Sequence, residues 1–163
     1  MTEQKRIYYK NAVYHITIRG NNKHPILKAA KDKIMFLEVL KKYRSRFGFK
    51  LFAFVIMDNH VHLIIQTENK INISKIMQAI NLSYSVKFRS KYPYTGHVWQ
   101  GRFRSNVIEK EEYILNCINY IHNNPSRAEI VEQIENYPWS SYHYYNSPDN
   151  EATRYIQMDK FYE

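Results

Sequence analysis

A single cysteine, Cys117, is all the thiol chemistry that this 163-residue chain contains. No internal disulfide can form, no thiolate set for a closed structural zinc site is at hand, and a reducing, cytoplasmic setting is expected. Long apolar runs are missing as well. The longest, Leu51 to Met57, has the length of a strand and falls far short of the roughly 18 residues of a membrane-spanning helix. The opening MTEQKRIYYK lacks the apolar stretch of a secretory signal. There is no internal repeat, low-complexity tract or linker, so the length fits one ordinary domain with its own core. Acidic residues are outnumbered, 15 Asp and Glu against 24 Lys and Arg, for a formal net charge of +9 spread along the chain. Such a balance favours a polyanionic partner. What the chain has in abundance is aromatic rings: 15 Tyr, 8 Phe and 2 Trp. Rings set among cationic side chains are what single-stranded nucleic acid stacks upon, at about 1–3 kcal/mol per base, although the Phe read as core.

The periodicity alternates between strand and helix. Val13 to Arg19 places Val13, His15, Thr17 and Arg19 opposite Tyr14, Ile16 and Ile18, a strand with one polar and one apolar face. Lys31 to Phe47 has helical spacing and a natural stop in Gly48. Leu51 to Met57 and His60 to Gln66 read as a hairpin turned at Asp58-Asn59. Asn72 to Lys91 is a second helix with Ser74 as a candidate cap, and Val98 to Glu109 is expected to be extended. Glu109 to Asn124 is the third helix, stopped by Pro125, with an Ile114, Ile118, Ile121 stripe and a polar side bearing Tyr113, Asn116, Tyr120 and Asn124. Trp139 and its neighbours read as core, and residues 147–163 as a polar tail open to motion after a domain over 1–146. The order β-α-β-β-α-β-α predicts an α+β fold, a ferredoxin-like antiparallel sheet with helices packed on one face.

Within that order, His60-Val61-His62 carries the strongest chemical signal. Alternate residues of a strand point the same way about 7 Å apart, so both imidazoles can converge on one ion while Val61, Leu63 and Ile65 face the core. Tyr120 and Asn124 are one helical turn apart, and the Asn124 amide oxygen can join the same ion. Asn124 precedes a proline, which disfavours helical geometry, so Asn123 and His122 stand as alternative third ligands. Imidazole plus amide oxygen suits an open catalytic magnesium or manganese site. A tyrosine hydroxyl is a weak nucleophile at neutral pH, and an ion that polarises the phosphate it attacks makes up part of the deficit. His15, His97 and His122 are candidate supporting or base residues.

The stretches HITIRGN (His15 to Asn21), MDNHVHLII (Met57 to Ile65), GHVWQGRF (Gly96 to Phe103), YIHNNPSRA (Tyr120 to Ala128) and YPWSSY (Tyr137 to Tyr142) resemble, in order, the motifs of the REP-associated tyrosine transposases. These form part of the single-tyrosine branch of the HUH endonucleases, and the similarity runs from about Tyr8 to Tyr145. The resemblance implies a ferredoxin-like catalytic domain that acts on single-stranded or hairpin DNA, as a monomer or a homodimer. It implies a divalent ion on His60 and His62, Asn124 at a position where relatives carry a Gln or Asn ligand, and Tyr120 attacking to leave a 5′-phosphotyrosine and a free 3′-hydroxyl. Asp58 departs from the pattern, since many relatives have Pro before the Asn-His pair; the hairpin turn changes and the ligands do not. Arg19, Arg102, Arg104 and Arg127 fall within these motifs and are candidate DNA contacts, as is Trp99 by stacking, although packing is the stronger reading for that ring. Two competing readings are kept: a non-catalytic module that grips hairpin DNA or RNA, and a phosphoesterase whose nucleophile is water.

Overall fold

In the computed structural model, residues 10–68, 71–146 and 152–161 are described. Residues 1–9, with the Tyr8 boundary of the motif similarity, lie outside them. The element order is β1 (Val13–Arg19), α1 (Ala30–Phe47), β2 (Lys50–Ile56), β3 (His60–Gln66), α2 (Ile73–Lys91), β4 (Arg104–Ile108), α3 (Glu111–His122), α4 (Asn124–Arg127) and α5 (Tyr142–Asn146). The sheet is antiparallel with strand order β2-β3-β1-β4, the ferredoxin-like arrangement. Among the described residues no helix is long and apolar enough to cross a membrane.

Register decides which side chains share a face, because directly paired residues of antiparallel strands project to the same side. Tyr14, Ile16 and Ile18 pair with Ile65, Leu63 and Val61, and all six are buried. The two long helices α1 and α2 pack against each other and supply the other half of this core through Phe36, Leu40, Ile80 and Tyr84. Tyr84 also donates its hydroxyl to Ile26 O at 2.6 Å, which satisfies the one polar atom of a fully buried ring. The opposite face carries His15, Thr17 and Arg19 beside Ile64, His62 and His60. Helix α3 lies there, and its buried Ile114, Ile118 and Ile121 follow the apolar stripe read from the sequence.

Four local expectations are revised. The second helix is capped by Asn72, whose side chain accepts from Lys75 N at 2.9 Å, and not by Ser74. The fourth strand begins only at Arg104, because Gly101 takes a left-handed φ of 60° and turns the chain before it. Pro125 does not end the helical path: Asn123 stays in the right-handed helical region and α4 follows at once with Pro in its first turn, where a missing N–H costs nothing. The tail is described over 152–161, and there it packs. Ile156 and Met158 are buried, and Asp159 takes Arg44 at 2.7 Å and Leu51 N at 3.0 Å, so residues read as loose are held by an ion pair and a strand edge.

Two features hold the site-bearing strands in place. The hairpin turn at Asp58-Asn59 forms as expected, closed by Met57 N donating to His60 O at 2.9 Å. Asp58 binds the buried Lys33 ammonium at 2.7 Å, which also donates to Leu27 O, so the departure from proline gives the turn an anchor on α1. Gly20, after β1, donates to Asn59 O at 2.8 Å, and a Cβ there would stand 2.4 Å from His24 O. Only glycine leaves room for the His24 carbonyl to fold back over the end of β1.

At the far edge, residues 139–141 run along β2, and Ser141 Oγ joins Phe54 N at 2.8 Å and His122 Nε2 at 2.7 Å. Burial, and secondarily the neighbouring His143, push His122 down to about 4 from an ordinary 6.5. Neutral in the folded protein, His122 has an ordinary affinity for protons once the chain unfolds, so acid favours the unfolded state. Its contribution is complete above pH 6.5 and is lost as the pH falls towards 4, to a total of roughly 3 kcal/mol. Urea denaturation at steps between pH 7 and pH 4 is expected to show His122→Gln with a flatter stability profile than the wild type over that window. Parallel profiles would contradict the assignment.

Candidate active site

Tyr120, on the polar side of α3, comes down over the histidine face of the sheet. Its ring centroid is 6.4 Å from that of His62 and 6.1 Å from that of His15, both edge-on, and the ring remains 44% exposed. The hydroxyl-bearing ring is thus both placed and open to substrate. Arg127, one turn into α4, lays its guanidinium 3.9 Å from the Tyr120 ring centroid, a cation–π contact that braces the ring from the solvent side.

Asn124 is the residue of the three candidates that meets the histidines. Its amide nitrogen stands 3.4 Å from His62 Nε2. A half-turn of the carboxamide exchanges nitrogen for oxygen without other movement. Asn123 instead donates to Asn119 O, and His122 points to Ser141 in the core.

Each imidazole is oriented through its Nδ1. His60 Nδ1 meets Asn59 Oδ1 at 2.7 Å; His62 Nδ1 meets His15 Nε2 at 3.0 Å and Thr17 Oγ1 at 3.2 Å. With the proton on Nδ1, each ring carries its lone pair on Nε2, which in His62 faces the Asn124 amide. Burial is the first cause of lowered proton affinity at all three rings. His62 is pushed down to about 3, with His60, His15, Arg127 and Arg19 adding to the effect, so it is neutral at physiological pH. Two neutral imidazoles and a carboxamide are a donor set that fits a divalent cation and leaves coordination positions for water and phosphate. Among the described residues no group of three or more His, Cys, Asp or Glu side chains is arranged to hold a metal.

Trp99 is corrected from base-stacking candidate to core residue: it is buried against Phe36 and Tyr84, and its Nε1 donates to Asn81 O at 3.1 Å. Arg19, Arg102 and Arg104 are exposed, on or next to the face that holds the histidines. Thr17 and Asn59 were not singled out in the sequence as site residues. The alternation of β1 puts Thr17 on the face of His15, but only the β1–β3 register shows that this face meets His62.

A family model described as IS200-like transposase matches residues 8–124. The chain belongs to the IS200-like transposase family. It is therefore an enzyme of DNA cleavage and rejoining by family, and within that family it is similar to the REP-associated tyrosine transposases. A REP-associated tyrosine transposase of Escherichia coli K12 is 24% identical over 144 residues, covering 88% of this chain and 84% of that one. The solved structure of a REP-associated tyrosine transposase bound to a REP hairpin superposes with a TM-score of 0.76 at 21% identity, over 88% of this chain and 84% of that one. The fold alone does not fix the chemistry, since tRNA(His) guanylyltransferase of Saccharomyces cerevisiae also superposes, at a TM-score of 0.54 and 8% identity over 75% of this chain and 62% of that one.

The transposase's His15 has no counterpart among the three candidate ligands, yet it is the imidazole that touches His62. For the ion site proposed below, loss of such a partner of the histidine is expected to lower metal affinity about 10–100-fold. His15→Ala is expected to need that much more manganese for half-maximal activity, while excess ion restores most of the rate. An unchanged ion requirement would show that Thr17 alone orients the ring.

Proposed function

We propose that this transposase cuts and rejoins single-stranded DNA, at hairpins or short repeats, by attack of the Tyr120 phenol oxygen on a phosphodiester next to a divalent ion. The observation that carries the reading is convergence: the Tyr120 ring, the His62 lone pair and the Asn124 amide meet on one open face, from β3 and from both sides of the α3–α4 junction. His60, His62 and Asn124 would hold Mg2+ or Mn2+, with imidazole donors favouring manganese in affinity. When bound, the ion supplies charge neutralisation for the phosphate and its leaving oxygen. His15, Thr17 and Asn59 fix the rings, Arg127 braces the nucleophile, and the half-exposed position of Tyr120 lets a strand enter.

In the step itself the Tyr120 oxygen–phosphorus bond forms as the bond from phosphorus to the 3′-oxygen breaks. The phenol proton passes to solvent and the departing 3′-oxygen takes one up, leaving a 5′-phosphotyrosine and a 3′-hydroxyl. The phosphodiester energy is kept in the new bond, so reversal by a 3′-hydroxyl needs no nucleotide cofactor. Net charge of +9 suits the polyanionic partner.

The direct test is to incubate the purified protein with single-stranded hairpins drawn from the flanks of its own gene, with and without manganese, and to run denaturing gels. A slow-migrating covalent band that requires the ion is expected. A hairpin shift on native gels with no covalent band under any ion would favour the non-catalytic binding module, and cleavage without a covalent band would favour water as nucleophile.

A further inference from the structure

The four candidate arginines do not form one surface. Arg127 lies on the Tyr120 ring, whereas Arg19, Arg102 and Arg104 line a separate small cavity of about 90 Å3 together with Thr17 and Gln100. Three elements converge to build it. Arg19 ends β1 across from His60, Arg104 opens β4 directly opposite Thr17, and Arg102 follows the turn at Gly101. Thr17 is shared with the catalytic face, since its hydroxyl reaches His62 Nδ1 at 3.2 Å. Among the described residues that line it, none is acidic. A polar recess walled by three guanidinium groups takes a compact oxyanion, and beside a DNA-cutting site that oxyanion is a backbone phosphate.

Its position relative to Tyr120 says which phosphate. The nucleophile's ring stands over His15 and His62, and the strand runs from His15 through Thr17 to Arg19, about 13 Å further along. In phosphoryl displacement the entering and leaving oxygens stand roughly in line on opposite sides of phosphorus. With the displacement axis laid along β1, an oxygen entering from the His15 end sends the 3′-oxygen towards the Thr17–Arg19 end, and the scan below tests that alignment. We infer that the Arg19–Arg102–Arg104 cavity holds a phosphate of the segment that ends in the free 3′-hydroxyl after cleavage. That segment has no covalent tie to the protein, and this grip keeps it in place for rejoining. The inference rests on the phosphotyrosine reading above and assigns its non-covalent half.

The test is a charge scan on a hairpin that gives the covalent band with wild-type protein. Backbone phosphates on both sides of the cleavage point are replaced one at a time by neutral methylphosphonates, and dissociation constants are measured for the wild type, Arg19→Ala and Arg104→Ala. One position on the 3′-hydroxyl side is expected to cost the wild type about tenfold and each variant less than about twofold, the non-additivity that marks a direct contact. The slope of log affinity against log salt should also fall by about one in each variant. Coupling to a phosphate on the tyrosine-linked side, or to none, would overturn the inference. Because the covalent band is scored first on the same hairpin, its absence counts against the phosphotyrosine reading and this inference together. A band without coupling counts against this inference alone.

Discussion

Replacing Tyr120 with phenylalanine is expected to lower covalent adduct formation and strand cleavage by on the order of 10^4-fold or more, because the change deletes the only atom that makes the bond. Hairpin affinity should stay within about twofold of wild type, since a phenylalanine ring keeps its edge contacts with His15 and His62 and its stacking beneath Arg127. The pairing of these outcomes is what gives the experiment force. A nucleophile supplied by water would leave cleavage intact, and a structural tyrosine would weaken binding or folding along with activity. Gel assays of adduct, cleavage and native shift on one hairpin separate the three cases.

His62→Ala carries the second large effect. The ring is at once the proposed ion ligand and the centre of a hydrogen-bond network with His15, Thr17 and Asn124. Truncation removes one of two imidazoles and leaves the half-buried His15 and Thr17 without their partner, so both ion affinity and strand order suffer. Activity is expected to fall by at least about 10^3-fold, and millimolar manganese should not restore it, in contrast to His15→Ala. A second variant, His62→Asn, retains a donor of similar polarity; recovery of native-like thermal unfolding without recovery of cleavage would place the loss in chemistry. Cleavage at near wild-type rate in either variant would remove His62 from the ion site.

Much of this was legible in the chain before any coordinates. Alternation along β3 put His60 and His62 on one face and Val61 in the core, and the four-residue spacing of Tyr120 and Asn124 put both on one side of a helix. The element order gave the ferredoxin-like sheet. Long-range register was not legible: His15 and Thr17 lie 47 and 45 residues from His62, and nothing local says that β1 pairs β3 so that these side chains meet. The helix end was ambiguous because a residue before proline has a weak local preference, and which of His122, Asn123 and Asn124 faces the histidines depends on packing. His122 is drawn into the core by Ser141, 19 residues away. The tail read as loose because its sequence is polar, yet Ile156 and Met158 are buried and Asp159 finds partners on α1 and β2 that only the folded chain provides. Trp99 could stack on a base by its chemistry, and its burial against Phe36 and Tyr84 follows from the α1–α2 pair.

Fifteen tyrosines make the identity of the DNA-linked residue a demanding question. Trapping the covalent product with manganese and a hairpin from the gene's flank, digesting protein and DNA, and sequencing the nucleotide-bearing peptide by mass spectrometry answers it directly. The account predicts one modified peptide, with the 5′-phosphate on Tyr120. A nucleotide on Tyr113, Tyr142 or any other side chain would contradict it.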